Sequence, residues 1–272
     1  MNKIQTFFTA PITALFYPPV YKDAVRSSAS RGVLYSLYLA GLSVVLLTII
    51  FSVKIVPQAD AFADWVKTNM PVLIWTPAGL SLENGQTTAT LVHPQYGTIV
   101  VFDATKTSVT EADMGKAYVF VTASKFFVRR SGQLESRDIT GSGMRPGQQL
   151  PPKVRITGDI AVKMYQNIKK TMMFIVPAVL FVFFSVFFLI ANLFYSLAGL
   201  LFNLMRVEKL GYAAIFNLAC FATTAAVMLT GLRVLIPLRV LALPPVFGIL
   251  INLVYMFVAF KITDVNNAKA KA

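Results

Sequence analysis

Few side chains in this chain have the type and spacing that chemistry requires. The only histidine, His93, stands beside Pro94 at the end of an alternating segment, and the only cysteine, Cys220, lies far along the chain inside an apolar run. A metal centre needs several such ligands close together and a disulfide needs two cysteines, so no metal set, disulfide or cofactor motif is read. His93 is taken as a polar surface histidine, set against the rival role of ligand or catalyst. Asp103, in VVFDATKTS, ends a strand-like run as phosphoacceptor aspartates do. Such sites also need further carboxylates, a metal and alternating strands and helices, which are missing here, so Asp103 is expected to cap a turn through backbone amides. No serine sits in a Gly-x-Ser-x-Gly elbow, and Gly141, Ser142 and Gly143 read as loop. No catalytic residue is assigned and the chain is expected not to be an enzyme.

A different spacing carries more. Ala178, Ser185, Asn192, Ser196, Gly199 and Asn203 follow intervals of 7, 7, 4, 3 and 4, which put all six on one stripe of a helix. Small and polar side chains on one stripe of a membrane helix let backbones approach and give amides a partner, so the stripe reads as a helix-packing seam. A polar path for a small solute is the alternative. Asn192 lies near the middle of an apolar run, where an unpaired amide is costly, and its partner is expected in the third or fourth span.

The element that carries the stripe is Thr171 to Met205, 35 residues without Asp, Glu, Lys, Arg or His. At about 1.5 Å per residue this rod is longer than a hydrocarbon core of about 30 Å, so it is read as one tilted or kinked span whose inner end follows the membrane surface. Pro177 is the expected kink, and Lys163, Lys169 and Lys170 mark the outer headgroups. Asp159 is a candidate N-cap for the helix that leads into it. Val33 to Val53 forms the first span, too long and too far from the start for a cleavable signal. The third span is 211–232, whose many small residues suit an enclosed position and make Cys220 a packing residue. The fourth runs 244–260, opened by Pro244 and Pro245 after a connection over 233–243, and 261–272 is a tail.

Residues 54–170 are a different material, with most of the acids and 14 of the 25 cations. Phe62, Trp65 and Val66 recur at helical spacing in Ala59 to Met70, and Pro71 ends that amphipathic helix. The period then becomes two in Thr98 to Phe102, Ala117 to Thr122 and Lys125 to Val128, with weaker candidates at Leu80 to Leu82, Thr88 to Val92 and Leu134 to Ile139. Glu83, Asn84, Gly85 and Ser131, Gly132 read as hairpin connections and Gly141 to Pro152 as a loop. A single, mainly antiparallel sheet of four to six strands packed on the helix is expected. The fold class is thus an α-helical integral membrane protein of four spans, with a small extracytoplasmic α+β domain between spans one and two.

Composition agrees. The chain is 56% hydrophobic with mean hydropathy +0.65 and only 14% charged, far from the soluble balance of about 25% charged. Its net charge of +13 would suit nucleic acid, but the cations are scattered without a basic stripe, so nucleic acid is not read as a partner. The lipid bilayer is, together with other membrane proteins such as a transporter. Residues 1–32 carry Lys3, Lys22, Arg26 and Arg31 among Phe7, Phe8, Phe16, Tyr17 and Tyr21, and read as an interfacial arm whose helix is broken at Pro11, Pro18 and Pro19, with a disordered leader as the alternative. With the N-terminus in the cytoplasm, short inner segments hold 9 Lys and Arg against 2 in the short outer loop. The positive-inside rule therefore places both termini in the cytoplasm and 54–170 outside it. No charge lies in a span interior, which favours an accessory or scaffold protein docking on a membrane or envelope partner over a transporter or channel component.

The order FYPPVYKDAVRSSASRGVLYSLYLAGL, DWVKTNMPVLIWTPAGLSLENG, TIVVFDATKTSVTEADMGKAYVFVTASKFFVRRSGQ, FIVPAVLFVFFSVFF and KLGYAAIFNLACFATTAAVML resembles, over nearly the whole chain, the bacterial domain-of-unknown-function family numbered eleven eighty-nine. Its members are sometimes labelled maltodextrin-utilisation membrane proteins. The resemblance implies topology and no catalytic residues. The C-terminal half is more weakly similar to Yip-type multispan membrane proteins.

Overall fold

A computed structural model describes residues 9–130, 133–139, 153–235 and 246–269. The loop read over Gly141 to Pro152, the Ser131, Gly132 turn, Lys3, Phe7, Phe8, the pair Pro244, Pro245, most of the 233–243 connection and the last residues of the tail lie outside them. The chain divides into two compact units, 57–171 and the remainder.

In the helical unit, α1 (Ala10–Phe16) and α2 (Pro19–Val25) precede α3 (Ala29–Ile50). A π turn, Phe51–Ile55, follows α3 and leads into α4 (Val56–Asn69) without a break in helix. The long helix α6 (Gly158–Leu204) is a single element with Pro177 inside it, and α7 (Tyr212–Leu235) and α8 (Val246–Lys269) complete the described helices of this unit. Among the described residues four helices are long and apolar enough to cross a membrane, with segments Tyr212–Leu232 and Phe247–Asp264 on α7 and α8, the latter a few residues beyond the 244–260 expected. Their surroundings differ. The α7 segment is 61% buried and that of α6 only 11%, so α7 is the centre of the bundle and α6 exposes a broad apolar face.

Residues 10–25 have a packed side that an arm lying on a leaflet does not need. Ala10, Ala14, Val20, Tyr21 and Ala24 belong to the same buried cluster as Tyr35, Leu39, Phe221 and Met256, while Ile12, Phe16 and Tyr17 are exposed. The alanines leave room for close approach, and the Tyr21 hydroxyl donates to the Ala14 carbonyl at 2.8 Å. The prolines start these helices rather than break them, since a missing N–H costs nothing in a first turn.

In the other unit, eight described strands form two sheets where one was expected. The first has order β2-β1-β8, from β1 (Leu73–Thr76), β2 (Gly79–Leu82) and β8 (Val154–Ile156), all antiparallel. The second has order β3-β4-β5-β6-β7, from β3 (Thr88–His93), β4 (Gly97–Asp103), β5 (Val119–Val121), β6 (Lys125–Arg130) and β7 (Gln133–Asp138), antiparallel except for the β4/β5 pair. The parallel pair needs a crossover, supplied by residues 104–118 with the short helix α5 (Glu111–Met114). Since β2 and β3 are in different sheets, Glu83, Asn84 and Gly85 connect layers instead of closing a hairpin. Leu80, Leu82 and Phe102 form the core where the sheets meet, with Trp75 and Ile156 packed on it. β1 (Leu-Ile-Trp-Thr) opens on two apolar neighbours and does not alternate, and β8 (Val-Arg-Ile) is a three-residue piece at the end of the Gly- and Pro-rich run, so a search by periodicity passes over both.

α4 and the first turns of α6 run side by side in this unit. Asp60 accepts from the Tyr165 hydroxyl at 2.8 Å and from Lys169 Nζ at 2.7 Å, and Lys67 pairs with Asp159 at 3.1 Å. Asp159 is thus in the first turn of α6 and does not precede it as a cap.

Candidate functional site

The six stripe residues all lie on α6, and the structure turns five of them inward. Ser185, Asn192, Ser196, Gly199 and Asn203 are buried, whereas Ala178, nearest the start of the apolar run, is exposed. Asn192 is 0% exposed. Its Nδ2 donates to Ser36 Oγ of α3 at 2.9 Å, and its Oδ1 accepts from Thr223 Oγ1 of α7 at 2.6 Å. One amide therefore joins three helices. The partner expected in the third or fourth span is Thr223 in the third, and Ser36 in the first is a second one. The Ser36 hydroxyl in turn donates to the Gly32 carbonyl at 3.0 Å, which closes the chain of donors. Ser185 and Ser196 donate to carbonyls one turn back, Phe181 at 2.7 Å and Asn192 at 2.5 Å, the usual refuge of a hydroxyl in a helix without water.

Gly199 marks the closest approach. A Cβ there would collide with Met256 Cε and stand 2.7 Å from Ile215 Cγ2, so α6, α7 and α8 meet at this point because position 199 has no side chain. Asn203 closes the stripe. Its amide exchanges two bonds with the backbone of Leu210, 3.0 Å as donor and 2.9 Å as acceptor, and so fixes the turn between α6 and α7.

Several residues of this bundle carry no signal in the stripe. Tyr35 stacks on Phe221 with ring centroids 4.0 Å apart, and its hydroxyl bonds Thr224 Oγ1 at 2.7 Å. Asn217 accepts the Gly32 N–H at 3.1 Å, and its Nδ2 lies 3.0 to 3.1 Å from the carbonyls of Ala24, Ser27 and Ser28. Arg206, in the short charged stretch that also holds Glu208 and Lys209, is 5% exposed. Its guanidinium donates to the Phe260 carbonyl at 2.7 Å, Thr263 Oγ1 at 2.8 Å and the Glu208 carbonyl at 3.1 Å, with Asp264 at 3.5 Å. Lys209 meanwhile donates to the carbonyls of Asn203, Leu204 and Arg206, completing the C-terminus of α6. A buried Arg that donates to three oxygens, two of them more than 50 residues away, is a geometric fact that residue type alone does not announce.

In the sheet-containing unit, His93 sits within a group of rings. Its centroid is 4.5 Å from Trp65, 4.6 Å from Tyr96 and 5.6 Å from Phe62. Nδ1 accepts the backbone N–H groups of Gln95 at 3.1 Å and Tyr96 at 3.4 Å, so a neutral imidazole carries its proton on Nε2. Beside these rings opens a cleft of about 600 Å³, lined also by Gln58, Pro94 and Gln95, with no carboxylate, ammonium or guanidinium group among the described residues that line it. Asp103 caps a turn. Its Oδ1 accepts the Thr105 hydroxyl at 2.5 Å and the Thr105 N–H at 2.9 Å, and these bonds hold its carboxyl below the usual range. Asp113 is held lower still by the Lys106 ammonium and by Thr110, within a reciprocal capping box that starts α5. Cys220 is buried in the bundle and is a free thiol.

No match was found among curated proteins or solved structures. A family model described as "Protein of unknown function (DUF1189)" matches residues 8–262, and by that match over most of its length the chain belongs to this family.

Proposed function

We propose that this is a multi-pass bacterial inner-membrane protein of accessory or scaffold type, not an enzyme, whose outer domain docks on a membrane or envelope partner such as a transport system. In this reading α3, α6, α7 and α8 cross the bilayer, both termini are cytoplasmic and residues 54–170 are extracytoplasmic, as the 9 against 2 distribution of Lys and Arg in the short segments favours. The observation that carries the scaffold reading is the closure of the Asn192 amide between Ser36 and Thr223. A solute path needs polar groups left free to exchange partners with its cargo, and these are committed to one another.

Two experiments test it. Reporters fused at either terminus should read cytoplasm and one inserted near Gly143 should read the outer side; a C-terminal reporter that reads outside overturns the four-span count. Cysteines placed at positions 185, 192 and 196 in a Cys220→Ala background should resist water-soluble thiol reagents. Fast labelling at all three would put the transporter reading in its place.

A further inference from the structure

The sheet edges of the outer unit are not alike. β7 carries Glu135, Arg137 and Asp138, and β8 carries Arg155, which is how sheets discourage an additional strand. β2 has no charge, but three of its four residues are buried and the Leu80 N–H is bound to the Ala123 carbonyl at 2.7 Å. β3, Thr-Ala-Thr-Leu-Val-His, has neither charge nor proline, pairs only with β4 among the described strands, and leaves Thr88, Thr90 and Val92 exposed. A register shift between Leu91 and Val92 confines the regular edge to Thr88–Leu91. The strand then ends in His93, the central ring of the uncharged cleft.

We propose that β3 and this cleft form one docking surface for an extended, uncharged polypeptide segment of a partner protein, which adds as a strand along Thr88–Leu91 and seats an aromatic or proline side chain against Trp65 and Tyr96. An edge strand offers unpaired N–H and C=O groups at a 3.3 to 3.4 Å repeat, which fits a peptide backbone and gives affinity without sequence choice. The cleft supplies the choice. Its rings offer apolar faces, Gln58 and Gln95 offer amides, and the lack of a charged lining group disfavours Lys, Arg, Asp or Glu on the incoming segment, which would lose water without gaining a partner. The proposal rests on the docking reading and narrows it to a surface and a class of ligand.

A phage-displayed library of random peptides, selected on the full-length protein in lipid nanodiscs against empty nanodiscs, tests it. Uncharged sequences with an aromatic or proline anchor should be enriched. The same peptides made synthetically should lose about tenfold or more in affinity for Thr88→Lys, Thr90→Lys and Trp65→Ala, lose binding when alternate amides are N-methylated, and be indifferent to Gln133→Lys on β7. The lysine variants change exposed side chains, so an unaltered melt separates lost docking from lost fold. No enrichment, or binding that survives both Thr90→Lys and N-methylation, overturns the proposal, as does a disulfide between two copies through Thr90→Cys in the Cys220→Ala background, which would give the edge to a second copy. A photo-crosslinker that captures a partner in native membranes from Glu135 but not from Thr88 or Thr90 would sink this surface and leave the docking reading intact.

Discussion

The side-chain oxygen of Asn217 accepts the backbone N–H of Gly32 at 3.1 Å, and a Cβ at position 32 would fall on that same oxygen. The contact joins the start of α3 to the second turn of α7 and needs both partners as they are. Gly32→Ala should destabilise the detergent-solubilised protein by about 1–3 kcal/mol, the usual cost of overpacking. Asn217→Leu should cost at least as much, because it strands a buried N–H together with carbonyls at the end of α2. Thermal melts of the purified variants measure both.

The stripe on α6 yields a second order of effects. Asn192→Leu should cost about 1 kcal/mol, the scale of an interhelical hydrogen bond in lipid, because Ser36 and Thr223 can still bond carbonyls of their own helices. Gly199→Leu should cost more by forcing Met256 and Ile215 away. The reverse order in a melt would mean that the amide, and not the close approach, holds the bundle.

How much of this could be read beforehand depends on what each residue's neighbours in sequence reveal. The apolar runs report themselves, because burial in lipid is a property of a segment. Spacing carries information on the stripe for a related reason, since a helix converts spacing into facing: five of its six residues are buried and Ala178 is exposed. Ser36 and Asn217 were illegible as partners because their bonds reach 156 and 185 residues away to Asn192 and Gly32. The packed side of α1 and α2 was obscured by their prolines and aromatics, although Ala10, Ala14 and Ala24 gave the hint of close approach. In the sheet-containing unit the alternation located six strands, but nothing local tells which sheet a strand joins.

Arg206 gives a third prediction. Arg206→Lys should not rescue, because a single ammonium cannot reach the Phe260 carbonyl, Thr263 and the Glu208 carbonyl together. Asp264→Asn should change stability by less than about 1 kcal/mol, since that pair is 3.5 Å apart and the acid is partly exposed. A melt in which the Asp264 variant is the worse of the two would show that charge, not the carbonyl bonds, anchors the guanidinium.

The pH response of the sheet-containing unit follows from Asp103 and Asp113. Both carboxyls are held below their ordinary range by hydrogen bonds, so the unfolded chain binds protons first as pH falls. Their contribution is complete above about pH 5 and is lost as pH drops through the unfolded value of about 3.9 towards the lower folded values. Asp103→Asn with Asp113→Asn should flatten the acid limb of the stability curve. Asp103→Asn alone should not abolish the cellular role in complementation, and loss of that role at normal abundance would revive a catalytic role for this carboxylate.

The packing of α2 against α7 also constrains how the protein is made. The carbonyl of Ala24 waits for an amide 193 residues downstream. At about 5–20 residues per second, a ribosome needs on the order of 10–40 s to deliver it. Throughout that interval Ala10, Ala14, Val20 and Tyr21 are translated but have no surface to cover. A nascent chain halted before α7 therefore presents an apolar hairpin to chaperones and membrane proteases, so quality control can recognise an unfinished copy by its beginning.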